Sequence, residues 1–371
     1  MVGSRPGAGG RPRRAFASTA LAAAAAAALI TIGDAAGAQR LSPARRPPAR
    51  LADTGLYSDF ASRTVDPRNI PFAPQYPLWS DGASKRRWIF LPPGSAIDAR
   101  DPEEWKFPVG TKFWKEFSWS RRVETRYLER TAEGWRYAAY AWREDESDAV
   151  LADEGGVLTT QEVAPGRRHT IPSVADCINC HRGGRAEILG FGALQLSPDR
   201  DPLAPHREPL DPGMPTLPTL VERRLVRGLP RELVERPPRI AASTPAGRAA
   251  MGYLHANCSI CHDSAGPVAS LGLDLRHRLD ARTAADEPGA RAIGRASKFQ
   301  IPGVPRGKSV WIDPGAPATS AVLMRMASRD PNVQMPPLGT HVVDEEAVGL
   351  VREWIEQELA PGTTAPRASR P

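Results

Sequence analysis

The sequence predicts an α+β protein of several domains: a β-rich N-terminal module followed by two segments built around a shared pentapeptide, the second segment all-α. Three observations carry this. Period-two alternation of aromatic and β-branched residues with polar ones recurs through residues 51–170, where seven of the nine tryptophans lie. The pattern Cys-x-x-Cys-His occurs as Cys177-Ile178-Asn179-Cys180-His181 and again as Cys258-Ser259-Ile260-Cys261-His262, and the two copies use all four cysteines. A well-capped, periodic helix signal gathers in residues 243–361.

The chain opens with a targeting pattern. Arg5, Arg11, Arg13 and Arg14 precede an alanine-dominated apolar run, Leu21 to Ile32, and Ala36-Gly37-Ala38 supplies an A-x-A cleavage site. Residues 1–38 therefore read as a Sec-type signal peptide, with the periplasm as destination. Losing four arginines and Asp34 with it lowers the formal charge from +7 to about +4. That balance gives no reason to expect nucleic acid as a partner. No later stretch is apolar and long enough to cross a bilayer.

Residues 39–50, rich in proline and arginine, read as a flexible arm. The β-rich module follows at 51–170. Arg87 to Leu91 runs into Pro92-Pro93-Gly94, and Thr111, Phe113, Phe117 and Trp119 share one parity. Val123, Thr125 and Tyr127 alternate with Glu124, Arg126 and Arg130, and Trp135 to Trp142 follows the turn Ala132-Glu133-Gly134. The alternation predicts an antiparallel sheet with one buried and one wet face, its tryptophans in the core. Asp153 to Arg168 reads as loop.

Residues 171–242 form the first motif-bearing segment, with a short helix carrying Cys177, Cys180 and His181. Seven prolines between Pro198 and Pro218 exclude a long helix there. Thr219 to Arg227 is a candidate short helix. In 243–361, Thr244 is an N-cap, Pro245 takes the first helical position, and the helix runs to Asn257. A loop section spans 264–311, and Pro317 to Met326 is a further helix. In the closing helix Asp344 caps, Ala347, Leu350, Val351, Trp354, Ile355 and Leu359 form an apolar stripe, and Pro361-Gly362 stops it. Residues 362–371 are a tail.

Two thiols three residues apart on one turn can form thioethers with the two vinyl groups of a haem, and the following histidine can reach the iron. With 4 Cys and 7 His in 371 residues, one such pentapeptide arises by chance in roughly one chain in a thousand. Two copies with no cysteine left over point to two covalent haems, held by Cys177, Cys180, Cys258 and Cys261, with His181 and His262 as proximal ligands. Met335, between the second motif and the closing helix, is the candidate opposite His262, because a thioether favours ferrous iron. Met324 and Met326 read as core. The carbonyl of Gly266, ahead of Pro267, is a candidate acceptor for the other ring nitrogen of His262. Met214, His206 and His169 are the candidates opposite His181, and an open position there is the alternative. Zinc and disulfide readings explain the histidines poorly. Zinc pairs usually lie 15–20 residues apart, whereas 77 residues separate Cys180 from Cys258.

The chain resembles a family of exported bacterial dihaem c-type cytochromes. The resemblance rests on Trp79-Ser80-Asp81, Leu91-Pro92-Pro93-Gly94, Phe107-Pro108-Val109-Gly110-Thr111, Glu124-Thr125-Arg126 and the first pentapeptide. It continues through Tyr253-Leu254-His255-Ala256-Asn257-Cys258, Cys261-His262, Asp313-Pro314-Gly315, Met335-Pro336 and Trp354-Ile355. The C-terminal portion is similar to the general cytochrome c fold. The resemblance implies electron transfer between redox partner proteins; it names no substrate and leaves the sixth ligand of the first haem open. A dihaem peroxidase with an open iron at His181 is the alternative function, and a glycan-binding tryptophan-rich sheet is a third.

Overall fold

The structure, a computed structural model, describes residues 46–181 and 187–360. The expected signal peptide at 1–38, the arm up to residue 45 and the tail with its Pro361-Gly362 stop lie outside the described residues. The protein is mixed α/β with a β-rich N-terminal region. Short strands β1 (Tyr57–Asp59) and β2 (Thr64–Val65) pair first. Next come β3 (Ile70–Pro71), β4 (Ser84–Phe90), β5 (Ile97–Asp98), β6 (Lys112–Ser118), β7 (Arg122–Thr131), β8 (Gly134–Trp142) and β9 (Ala149–Leu151). All but β5 join one antiparallel sheet in the order β3-β4-β6-β7-β8-β9.

Alternation places the side chains as the sequence predicts, yet neither sheet face is left wet. On one face Trp88, Trp114, Tyr127 and Ala138 stand opposite one another across four strands, and Leu51, Leu56 and Tyr57 fold back over them. On the other, Ile89, Phe113, Trp135 and Tyr137 are covered by Ile188, Phe191, Leu196, Leu217 and Leu220. The expectation of one wet face is corrected: Glu124 is completely buried, because Arg126 and His169 supply its hydrogen bonds. Five of the seven tryptophans are core, and Trp79 and Trp119 are half-buried. Residues at the end of the expected arm are also fixed, for the Pro48 carbonyl accepts from Tyr140 and that of Ala49 from the Leu151 amide.

The stretch expected as loop after Asp153 is instead a hairpin, β10 (Val157–Ala164) and β11 (Arg167–Ile171). Its β-branched Val157, Thr159, Thr160 and Val163 and its Pro165-Gly166 turn were legible strand signals. Helix α1 (Val174–His181) follows, then α2 (Leu217–Glu222). The helix expected over Thr219 to Arg227 therefore starts and ends earlier, and Val226–Arg227 becomes β12, parallel to β5. After α3 (Glu232–Glu235), α4 (Pro245–Cys258) starts as expected: the Thr244 hydroxyl accepts from the Gly247 amide at 3.0 Å. Short 3-10 turns and isolated β-bridges lead to α5 (Ala321–Met326) and α6 (Glu345–Glu353), which runs into a π-turn, Trp354–Glu358. Asp344 caps α6 by accepting from the Ala347 amide at 3.1 Å.

The described residues from Pro47 onward form one compact unit. The expected boundaries at 170 and 242 are crossed by buried polar contacts. Tyr76 donates to Asp201 at 2.9 Å, the Trp79 amide donates to Asn257 Oδ1 at 2.7 Å, and Asp81 accepts from the amides of His341 and Val342. Arg276 spans Asp263 at 2.9 Å and Glu103 at 3.1 Å. Among the described residues no helix is long and apolar enough to cross a membrane.

Candidate metal centres

The first pentapeptide sits on α1. Ser173 and Asp176 exchange hydrogen bonds at its start: the Ser173 amide and hydroxyl donate to the Asp176 carboxylate at 3.0 and 2.7 Å, and the Asp176 amide donates back at 3.1 Å. Cys177 and Cys180 are one turn apart, and His181 ends the helix with its ring 5.3 Å from that of Tyr137 on β8. His181 Nδ1 donates to the Glu187 carbonyl at 2.7 Å, since a carbonyl can only accept. That fixes the tautomer and leaves Nε2 with its lone pair. Burial, with Arg126 and Lys115 nearby, pushes the imidazole down to about 4 despite this bond, so it is neutral at pH 7.

The second pentapeptide begins at the last residue of α4 and continues the turn. The Cys261 and His262 amides both donate to the Cys258 carbonyl, at 3.1 and 2.9 Å. Burial and then Arg325 lower His262 to about 4. Its Nδ1 is buried with no hydrogen-bond partner among the described residues. The Gly266 carbonyl does not take the expected role; the Gly266 amide donates to Asp263. A buried ring nitrogen left in this way is costly unless another group pairs with it.

All four cysteines are free thiols. Burial raises Cys177 to about 11 and Cys258 to about 12, and it also raises Cys180 and Cys261. Half-buried thiols with raised pKa values are poor candidates for a dithiol redox centre. Among the described residues, no group of three or more His, Cys, Asp or Glu side chains is arranged to hold a metal ion. The donor set at each motif, two adjacent free thiols and one neutral imidazole, fits covalent haem.

The Met335 amide donates to the Arg325 carbonyl at 2.9 Å, and Arg325 Nε donates to the Val333 carbonyl at 2.8 Å. Arg325 therefore links the Met335 loop to the surroundings of His262, whose charge it affects. Met335 is partly exposed and lies outside the apolar cluster that holds Met251 and Met326 and against which Met324 packs. The candidates opposite His181 are otherwise placed. His169 Nε2 meets Glu124 at 2.9 Å. His206 has Nε2 on Asp344 at 2.8 Å and Nδ1 on Glu346 at 3.2 Å. Met214 lines a cavity with Trp79, Arg87 and His206, and His181 is not part of its wall.

Sequence reasoning missed the space between the motifs. A cavity of about 120 Å³ is lined by Cys180 from one and by Ser259 and Ile260 from the other, together with Phe191, His255 and Asp263. Cys261 is near enough to Cys180 to raise it further. His255 Nδ1 accepts from the His277 amide at 3.0 Å, and His277 pairs with Glu287 at 2.8 Å. The motifs lie 77 residues apart in the chain, so only the fold discloses this adjacency. No protein-family model matches the chain, and neither the characterised proteins nor the solved structures compared with it give a match.

Proposed function

We propose that this chain is an exported, periplasmic c-type cytochrome that carries electrons between redox partner proteins through two covalently attached haems. Cys177 and Cys180 would hold one and Cys258 and Cys261 the other, with His181 and His262 on the irons and Met335 opposite His262. Helices α4, α5 and α6 are read as a cytochrome c unit, and the β-rich region as the docking module. The carrying observation is the adjacency of the two motifs: Cys180 and Ser259-Ile260 wall one cavity. Side-by-side attachment suits a relay in which electrons enter at one centre and leave at the other.

Haem supplies one-electron chemistry at its iron. The chain does the rest. His181 is kept neutral by burial and oriented by the Glu187 carbonyl, and the Met335 amide ties its loop to Arg325, whose charge reaches His262. Reduced and oxidised visible spectra test the reading. Two low-spin centres support the relay, and a spectrum without a c-type reduced band contradicts it.

One observation favours the peroxidase reading. Carboxylates already hold the imidazoles of His169 and His206, which counts against either as a ligand opposite His181. A high-spin centre that binds cyanide and turns over peroxide would select that reading.

A further inference from the structure

The covered sheet face beside α1 carries a row of cations that the relay reading leaves unused. Arg87 on β4 stands opposite Lys115 on β6, which stands opposite Arg126 on β7. Two of the three have carboxylate partners, Arg87 with Glu208 and Arg126 with Glu124, the latter at 2.6 Å. Lys115 has none. Among the described residues its ammonium makes no hydrogen bond or ion pair and rests 4.7 Å from the centre of the Phe117 ring. The Arg126 guanidinium lies 4.4 Å from the centre of the same ring. Burial, then Arg87, Lys85 and Arg126, push Lys115 well below the ordinary lysine value. A cation in such surroundings is costly until an anion joins it.

The row borders the first pentapeptide. Two residues along the strands, the neighbouring row on the same face is Ile89, Phe113, Leu128 and Tyr137, and the Tyr137 ring lies tilted 5.3 Å from that of His181. The charges of Lys115 and Arg126 both reach His181, and that of Arg126 reaches both Cys177 and Cys180. Within the row three cations meet two carboxylates, and Lys85, bonded among the described residues only to the Leu78 carbonyl, adds a further positive charge beside it.

We propose that Lys115, flanked by Arg87 and Arg126, receives a propionate carboxylate of the haem attached through Cys177 and Cys180. The assignment rests on the haem reading above. One carboxylate would pair with the cation of the row that lacks a partner, in a partly buried place where a charge-assisted hydrogen bond is strong. A free carboxylate ion has the same chemistry and is the competing source.

The test uses full-length holoprotein matured with haem carrying carbon-13 at its propionate carboxyls, so that propionate bands in redox-difference infrared spectra move with the label. Intact mass first counts the haems, and absence of haem at Cys177 and Cys180 overturns the haem reading together with this assignment. With both haems attached, Lys115→Met is expected to shift one labelled carboxylate band, and Lys115→Arg to return it towards its original position. A labelled band unmoved by Lys115→Met overturns the assignment. So does a Lys115-dependent band that ignores the label and follows added acetate, which would identify a free anion. Should Lys115→Met fail to mature, Lys115→Gln, which removes the charge but keeps a donor, is read in the same way.

Discussion

His181 and His262 are held by different means. The first has its tautomer set by the Glu187 carbonyl, while the second keeps a buried Nδ1 without a partner. If Met335 lies opposite His262, Met335→Ala removes a ligand that favours ferrous iron. Potentiometric titration should then show one midpoint falling by about 59 mV or more, a tenfold loss of ferrous preference, and the other unmoved. Two unchanged midpoints would refute the ligand assignment. Glu124 gives a second test at this scale. Burial raises its carboxyl, but Arg126 and His169 outweigh burial and hold it below the usual glutamate value. The unfolded chain thus binds the proton more readily, so this site's stabilisation is complete above the ordinary glutamate pKa and fades as pH falls through the lower folded value. Glu124→Gln leaves Arg126 unpaired and should cost about 3–5 kcal/mol in denaturant melts at pH 7. The deficit should shrink in acid, and an equal deficit at all pH values would contradict the pairing.

Helix α4 shows how far an element can be read from residues alone. Thr244-Pro245 announces its start, and Ala250, Tyr253, Leu254 and Asn257 are buried along it as their spacing requires. Its partner was not legible, because Tyr76 is 176 positions upstream of Gly252. A Cβ on Gly252 would sit 2.1 Å from the Tyr76 ring, so a bare backbone is needed at that crossing. Gly252→Ala should cost about 1–3 kcal/mol or more. Gly349, exposed on α6 with open space around it, should respond oppositely, Gly349→Ala gaining about 0.5–1 kcal/mol from helix propensity. Thermal melts of the two variants check both signs, and a stable Gly252→Ala would contradict the packing. The hairpin β10-β11 departs from the expected loop for another reason: its strands carry few large apolar residues, and glutamate, arginine and glycine around them mask the β-branched ones.

At the scale of the whole molecule, the sequence shows the two pentapeptides but not their arrangement. Alternation located β4, β6, β7 and β8, and the capping signals located α4 and α6. It could not show that the sheet is covered on both faces, since the cover comes from Leu51 to Tyr57 on one side and Ile188 to Leu220 on the other. For the same reason Glu124 and Arg126 read as a solvated face although they lie close to Cys177 on α1. Contacts such as Tyr76 with Asp201 and Arg276 with both Asp263 and Glu103 join regions that composition divides. Arg276, Asp263 and Glu103 also line the cavity that Cys180 and Ser259-Ile260 share.

The most direct test of the account is the intact mass of protein purified from a host competent in c-type cytochrome maturation, read with its pyridine haemochrome spectrum. The account predicts two haems per chain, with Cys177→Ala/Cys180→Ala removing one and Cys258→Ala/Cys261→Ala removing the other. A colourless protein whose mass is that of the polypeptide alone would contradict it.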